Sequence, residues 1–220
     1  MQISRRNGFT LVELLVALAV AAVLLGVGVP SFAEVVRGAR LSTQYNAVVA
    51  ALYLARSEAV KSSEFVTVCA RASDTACGGV DDWENGWITF VDPSAGSAGA
   101  AASIDAADTV LRIDGPIAGD NTVTAYRVVP DASGSLIDAI TGGGGGVTEQ
   151  KASFVRYQPR GDAHWGTGSI RVCDANRGAD VSRVVNVVLT GDVRPGRKSG
   201  DETAPRDVAN RPIACPAPTA

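Results

Sequence analysis

Apolar residues fill positions 9–29 of the chain, where only Thr10 and Glu13 are polar. A helix of about 20 apolar residues is long enough to cross the hydrocarbon core of a bilayer. Arg5 and Arg6 stand just before this run, and basic residues favour the cytoplasmic side of a membrane segment. The pattern therefore predicts a transmembrane helix over residues 9–29 whose N-terminal end faces the cytoplasm.

The apolar pattern changes after Pro30, where hydrophobic residues begin to recur every three or four positions. This spacing is typical of an amphipathic helix with one buried face, and it extends the first helix over residues 30–62. Because proline removes a helical hydrogen bond, we expect a bend at Pro30 in one long helix of about 80 Å, at 1.5 Å per residue. The predicted buried stripe consists of Leu41, Tyr45, Val48, Leu52, Ala55 and Ala59.

Beyond the helix the chain carries short runs that are rich in β-branched and aromatic residues and are bounded by Gly, Pro, Asp or Ser. We predict an α+β fold in which an antiparallel β-rich head, residues 63–195, packs on the amphipathic half of the helix. The low-complexity stretches 93–103 and 142–146 are predicted to be loops. The polar, proline-rich tail 196–220 is expected to be ordered only near Cys215. The predicted strands are 65–70, 87–91, 109–113, 122–129, 152–158, 169–173 and 183–189.

Four cysteines, Cys69, Cys77, Cys173 and Cys215, indicate two disulfides if the chain is exported. Four cysteines allow three connectivities. We favour Cys69–Cys77, because these residues flank a short turn-rich stretch, and Cys173–Cys215, which would tie the tail to the head. In a cytosolic chain the same residues would be reduced thiols, so the pairing depends on an export signal.

The N-terminal run differs from a conventional secretory signal peptide, which has a shorter apolar core and a cleavage site between small residues. An ordinary signal anchor is the alternative that the hydrophobic pattern leaves open. Neither explains Glu13, because a lone carboxylate in hydrocarbon costs roughly 2.5–3.5 kcal/mol on insertion scales and needs a partner.

The sequence RRNGFTLVELLVALAV, residues 5–20, resembles the class III signal of type IV pilins and type II secretion pseudopilins. Members of this family carry a basic leader that ends in Gly, then Phe, then Thr-Leu-x-Glu and an apolar helix. The resemblance implies that prepilin peptidase cuts after Gly8, which removes leader 1–8, and that Phe9 becomes the methylated N-terminus. It also implies a single-pass inner-membrane protein whose head lies in the periplasm and which enters a pilus or pseudopilus filament.

Cleavage after Gly8 would supply the partner that Glu13 lacks. The new α-amino group at Phe9 lies about one helical turn from Glu13, within reach of this carboxylate in the same or a neighbouring subunit. In a bundle of helices this pair would fix the axial register between subunits. Glu13 is therefore interpreted as an assembly residue rather than a catalytic one.

The head makes the resemblance more specific, because residues 54–92 are similar to the GspH/FimT family, which includes pseudopilin H of type II secretion and minor pilins of type IV pili. The similarity extends from the leader to about Gly191. It implies a type IV pilin-like fold and a structural, assembly-priming subunit that docks with other pilins or pseudopilins. The shared motifs leave open whether the machine is a type IV pilus or a type II secretion system. The matching head residues are Arg56, Ser57, Glu58, Cys69, Trp83, Gly86, Trp87, Phe90, Asp92, Phe154, Pro159 and Gly161.

A basic segment follows the last predicted strand, where Arg194, Arg197 and Lys198 stand among glycine and proline residues. Some FimT-like minor pilins bind DNA for uptake through a Gly-Arg-x-Arg motif in this region, whereas residues 191–194 read Gly-Asp-Val-Arg. The resemblance thus implies a second hypothesis, a DNA-binding minor pilin for natural transformation. Three cations on a loop can contact phosphates without sequence preference and with strong salt dependence. The alternative interpretation is a solvated basic turn on a protein of net charge −3.

The sequence predicts no catalytic residue, metal site or cofactor. His164, the one histidine, has no Ser or Cys motif beside it and is expected at the surface of a loop. The pentaglycine 142–146 lacks the Gly-Lys-Ser/Thr ending of a phosphate-binding loop. Asp81, Asp82 and Glu84 do not have the spacing of a calcium loop and are interpreted as a solvated acidic turn. A soluble enzyme is the third hypothesis, and no motif favours it.

Overall fold

One long helix, α1, runs from Leu11 to Ser62. The chain forms two compact units, one that ends at Arg40 and one that begins at Leu41, and α1 contributes to both. The helix continues through Pro30 without interruption, and the bend expected there stays a prediction. The structure is a computed structural model, and it describes residues 10–95, 101–130, 147–163, 167–198 and 203–215.

The first unit consists of the apolar half of α1. Its large apolar side chains are exposed wherever they are described, from Leu11 at 74% to Val35 at 65%. This part of α1 is long and apolar enough to cross a membrane. A row of exposed aliphatic side chains of this length marks an interaction surface, because soluble surfaces rarely expose large apolar patches.

The second unit buries the predicted stripe of α1. Leu41, Val48, Leu52, Ala55 and Ala59 are each at most 2% exposed, and Tyr45 packs against them at the edge of the same core. Alanines at the last two stripe positions allow close approach of the strands, since their side chains are short. The amphipathic pattern therefore identified the face of α1 that holds the head.

Within the described ranges the head contains ten strands and one short 3-10 turn, Trp83–Asn85. The predicted strands are all present within a few residues of their expected bounds, whereas β2, β6 and β10 were not predicted. The strands are β1 (Val66–Ser73), β2 (Ala76–Cys77), β3 (Trp87–Val91), β4 (Thr109–Asp114), β5 (Thr122–Pro130), β6 (Val147–Ala152), β7 (Phe154–Tyr157), β8 (Gly168–Asp174), β9 (Gly178–Val187) and β10 (Val193–Pro195).

The described strands form two antiparallel five-stranded sheets. The first sheet has the order β2-β1-β3-β4, with β7 also paired to β1. The second has the order β10-β9-β8-β5-β6. Both sheets contribute to the core against α1, through side chains such as Val68 of the first and Ile170 of the second.

The chain passes from the second sheet to the first at Ser153, which separates β6 from β7. Trp83 lies at this crossover, where its indole Nε1 donates a 2.7 Å hydrogen bond to the carbonyl oxygen of Ala152. The side chains of Trp83 and Trp87 are at most 2% exposed. Both tryptophans therefore pack the interior of the head.

A buried ion pair ties β7 to the end of β3. Arg156 Nη2 lies 2.9 Å from Oδ2 of Asp92, and the two side chains are 1% and 4% exposed. Arg156 Nε also donates to Thr67 Oγ1 at 2.8 Å, and the Thr67 hydroxyl donates to Asp92 at 3.3 Å. A charge in this interior would be strongly destabilising without its partner, so the three residues act as one unit.

The cysteines pair as Cys69–Cys77 and Cys173–Cys215, the connectivity that their spacing favoured. The first disulfide closes the β1–β2 hairpin, and the second joins the end of β8 to the C-terminal segment. Among the residues that the structure describes, no cysteine is free.

Candidate functional site

The N-terminal end of α1 carries the predicted assembly residue. Gly8 and Phe9 lie outside the described residues, and Glu13 occupies the first turn of the helix. Its backbone N–H donates to Thr10 Oγ1 at 3.2 Å, which makes Thr10 a side-chain cap of the helix. The Thr-x-x-Glu spacing thus starts the helix at Leu11 and places a carboxylate at its positive end, where the helix dipole favours negative charge.

A second candidate site lies around Asp192, which follows β9 in the segment that the sequence analysis compared with a Gly-Arg-x-Arg motif. All three guanidinium nitrogens of Arg56, on α1, make contacts at this site. Its Nη1 lies 2.7 Å from Asp192 Oδ1, its Nη2 donates to the Thr190 carbonyl at 3.1 Å, and its Nε donates to the Gly161 carbonyl at 3.1 Å. Arg194 approaches the other oxygen of Asp192 at 3.3 Å.

Asp192 is therefore held between two arginines instead of serving as a free acidic side chain. Hydrogen bonds from Arg56 first and from Arg194 second hold the pKa of Asp192 below its ordinary value. Sequence reasoning treated Asp192 only as a replacement for an arginine. It did not foresee the contact with Arg56, because 136 residues separate the two positions.

Two glycines allow the loops to meet beneath Arg56. Gly191 has a φ of 76°, and a Cβ atom at this position would lie 1.9 Å from the carbonyl oxygen of Gly161. Gly161 has a φ of 84°, and its own Cβ would lie 2.9 Å from a methyl group of Val60. Both positions combine a left-handed backbone with a close approach, which only glycine accepts at low cost.

The predicted cations Arg194, Arg197 and Lys198 line one cleft of about 620 Å³, together with Arg206 of the C-terminal segment. Lys198 Nζ donates to the carbonyl oxygen of Asp180 at 2.8 Å, and Arg194 forms an ion pair with Asp192. The three residues thus share a surface, but one of them is partly neutralised by an adjacent carboxylate. The cleft is basic and open, a shape that suits an anion better than a buried apolar ligand.

Residues 44–191 match the family described as type II transport protein GspH, and residues 3–29 match the prokaryotic N-terminal methylation motif. The chain belongs to the GspH family. Two solved structures are also similar, both of the type IV minor pilin FimU of Pseudomonas aeruginosa strain PAO1. The structure in space group P21 has a TM-score of 0.44 at 16% identity over 76% of this chain and 92% of that chain. The structure in space group P65 has a TM-score of 0.41 at 16% identity over 71% and 90%. No curated protein sequence matches significantly.

The C-terminal segment of this GspH-family protein, residues 203–215, packs on the outer face of the second sheet. Asp207 is 4% exposed and lies 3.5 Å from Nη2 of Arg171 and 3.2 Å from Nε of Arg211. Ile213 is 3% exposed. The expectation that the tail is ordered only near Cys215 was therefore wrong, because side chains along the segment add ionic and apolar contacts to the disulfide.

The acidic turn of the GspH-family protein has structural partners. Asp82 Oδ2 accepts a 2.5 Å hydrogen bond from the Gly79 amide, and Asp81 pairs with Lys151 across the surface. Within the described ranges, no group of three or more His, Cys, Asp or Glu residues is arranged to hold a metal ion. His164 and the pentaglycine 142–146 lie outside those ranges.

Proposed function

We propose that this minor pilin or pseudopilin is a structural and assembly-priming subunit of a type IV pilus or of a type II secretion pseudopilus. The observation that carries the proposal is a helix with an exposed, lipid-compatible apolar half and a carboxylate in its first turn, continuous with a compact β-rich head. Such a helix has two compatible surroundings, the bilayer before assembly and a bundle of other helices afterwards.

The processing step follows from the methylation motif at residues 3–29. Prepilin peptidase would cut after Gly8, and the new N-terminus at Phe9 would be methylated. The protein would then span the inner membrane once, with its head in the periplasm. Two disulfides in the head support this location, because disulfides persist in oxidising compartments such as the periplasm.

The role of Glu13 in the proposal is electrostatic. An unpaired carboxylate in hydrocarbon costs roughly 2.5–3.5 kcal/mol on insertion scales. Pairing with the amine of Phe9 in a neighbouring subunit would remove that cost only at the correct axial offset. The pair would therefore select one register among the many that an apolar helix surface allows.

The test compares Glu13→Ala with Glu34→Ala, a second exposed acid on the same helix. Both variants should be processed, as shown by a mature N-terminal sequence that starts at methylated Phe9. Glu13→Ala should be largely lost from sheared or purified filaments, while Glu34→Ala should be retained. Normal incorporation of Glu13→Ala, or a mature sequence that starts elsewhere, would contradict the proposal.

A second function, binding of DNA during uptake, is favoured by one observation, the shared cleft of Arg194, Arg197 and Lys198. Phosphate contacts by three cations would make the affinity fall steeply with salt, with a log–log slope of about −0.9 per neutralised phosphate. The full-length protein in detergent would be titrated with duplex DNA at several salt concentrations, as wild type and with all three cations changed to alanine.

The control for this titration is a triple alanine variant of equal charge change at Lys61, Arg112 and Arg127, which are exposed elsewhere in the protein. If DNA binds through the cleft, only the variant that lacks Arg194, Arg197 and Lys198 should lose affinity for DNA and show a weaker dependence of that affinity on salt concentration. Equal losses in both variants would indicate a non-specific charge effect, and no binding at low salt would remove the DNA hypothesis.

A further inference from the structure

The apolar half of α1 ends in a pair of arginines. Arg37 and Arg40 are both exposed, and they lie on the same side of the helix because three positions separate them. Within the described ranges neither guanidinium has an ion-pair partner, although Glu34 stands one turn before Arg37. Both charges are therefore available to a ligand from outside the chain.

The rise of the helix sets the depth of these arginines when α1 spans a bilayer. At about 1.5 Å per residue, Arg37 lies about 39 Å along the helix from Leu11, and Arg40 lies about 44 Å from it. A bilayer has about 30 Å of hydrocarbon and is about 40–45 Å thick with its polar headgroups. With Leu11 at one edge of the hydrocarbon, the opposite headgroup layer ends about 35–38 Å along the helix, just before Arg37.

The direction of helical side chains brings the two guanidinium groups back to that layer. Side chains on a helix lean toward its N-terminus, which for Arg37 and Arg40 is the direction of the bilayer. Arginine can lay its apolar stem against apolar surroundings while its guanidinium stays among polar groups. Phe32, 70% exposed, and Val35, 65% exposed, precede the arginines and supply apolar side chains at the edge of the hydrocarbon.

The charges on this turn of α1 favour lipids with a net negative charge. Arg37 and Arg40 carry two positive charges and Glu34 carries one negative charge, which leaves one net positive charge. Guanidinium groups bind phosphate oxygens through paired hydrogen bonds. We propose that Arg37 and Arg40 bind the phosphates of acidic phospholipids in the leaflet at the C-terminal end of the span. This inference rests on the proposed function, in which α1 spans the membrane.

The test measures which lipids lie next to the protein. Full-length protein is reconstituted into phosphatidylcholine vesicles with a trace of spin-labelled phosphatidylglycerol or, separately, of spin-labelled phosphatidylcholine. Electron spin resonance separates the restricted lipid beside a span from bulk lipid, and the ratio of the two association constants gives the preference for the acidic lipid. Arg5 and Arg6 also attract acidic lipids, but every variant retains them, so the comparison is made between variants.

The double variant Arg37→Gln with Arg40→Gln should reduce the preference for phosphatidylglycerol about fivefold or more, since each arginine near a membrane surface contributes about that factor. Glu34→Gln should change the preference in the opposite direction, because it removes the one acid beside the arginines. Arg112→Gln with Arg127→Gln is the matched control, because both residues are exposed in the head, and it should keep the wild-type preference. At 1 M salt, where the Debye length is about 3 Å, the difference between the variants should largely disappear.

Separate outcomes distinguish a failure of this inference from a failure of the proposed function. Restricted lipid with an equal preference in wild type and the Arg37–Arg40 variant would overturn the inference alone. No restricted lipid in any sample would overturn the membrane span, and the inference with it. An equal loss in the control variant would show a non-specific charge effect and overturn the inference. Unchanged lipid preference, together with loss of the Arg37–Arg40 variant from filaments, would assign the arginines to a neighbouring subunit instead.

Discussion

Replacement of Asp92 by asparagine should destabilise the head more than any surface substitution, because it leaves the Arg156 charge buried without a counter-charge. Arg156 is 1% exposed and Asp92 4% exposed, and Nη2 approaches Oδ2 at 2.9 Å. Asparagine keeps the volume of aspartate, so the change is almost purely electrostatic. Removal of one partner from a buried pair costs about 3–5 kcal/mol.

This loss corresponds to a fall in Tm of roughly 6–20 °C, since each kcal/mol shifts the Tm by about 2–4 °C in a protein of this size. The unfolding of the head can be followed by tryptophan fluorescence in detergent, because Trp83 and Trp87 are both buried in it. Glu58→Gln is the control, because it breaks the exposed pair with Lys61 and should change stability by less than about 0.5 kcal/mol.

A double variant separates the charge effect from packing. Asp92→Leu combined with Arg156→Met removes both charges, and its cost should be clearly smaller than the sum of the two single changes. A fall in Tm of less than about 2 °C for Asp92→Asn, or full additivity in the double variant, would refute the assignment of a mutually dependent buried pair.

Three further substitutions have expected outcomes. Gly191→Ala should lower the Tm and disturb the loops, because the new Cβ would lie 1.9 Å from the Gly161 carbonyl oxygen, and thermal unfolding measures the loss. Asp192→Asn should remove a contribution to stability that depends on pH. In the wild type this contribution is present above the ordinary carboxyl pKa and is lost as the pH falls through the pKa of Asp192, which the hydrogen bond from Arg56 lowers. The free energy of unfolding, measured across the acid range, tests this expectation. Leu52→Ala should cost about 2–5 kcal/mol in denaturant unfolding, because the side chain is fully buried.

Each of these substitutions has its own control. Gly115→Ala should be neutral, because no atom lies within 4 Å of the Cβ position there, and an equal loss at both glycines would contradict the steric argument. Leu189→Ala removes a leucine that is 56% exposed and should cost far less than Leu52→Ala. An acid profile of Asp192→Asn that coincides with the wild type would show that Asp192 has no depressed pKa.

The local features of the fold could be predicted from the sequence because they depend on short-range periodicity. The stripe from Leu41 to Ala59 repeats at helical spacing, and it is the buried face of α1. Strand β9 contains four valines, and β8 places Ile170 and Val172 at alternate positions, so both strands were recognisable from the sequence. By contrast β6 reads Val-Thr-Glu-Gln-Lys-Ala, which is a mostly polar edge strand with little intrinsic signal.

The division into two sheets and the packing of the tail could not be predicted, because both depend on contacts between distant residues. The crossover at Ser153 has no turn residue pattern, and the Trp83 hydrogen bond at this point joins positions 69 residues apart. The tail looks disordered by composition. Its order comes from Asp207, which reaches Arg171 of β8 across 36 positions in the sequence.

Asp192 shows why the candidate site required the structure. In the sequence it is a departure from a cationic motif, which weakens the case for DNA binding. In the fold it joins Arg56 of α1 to the start of β10, and the same carboxylate draws Arg194 toward it. The structure therefore gives Asp192 a role that the motif comparison could not show, a cross-link between α1 and the segment that leads into β10.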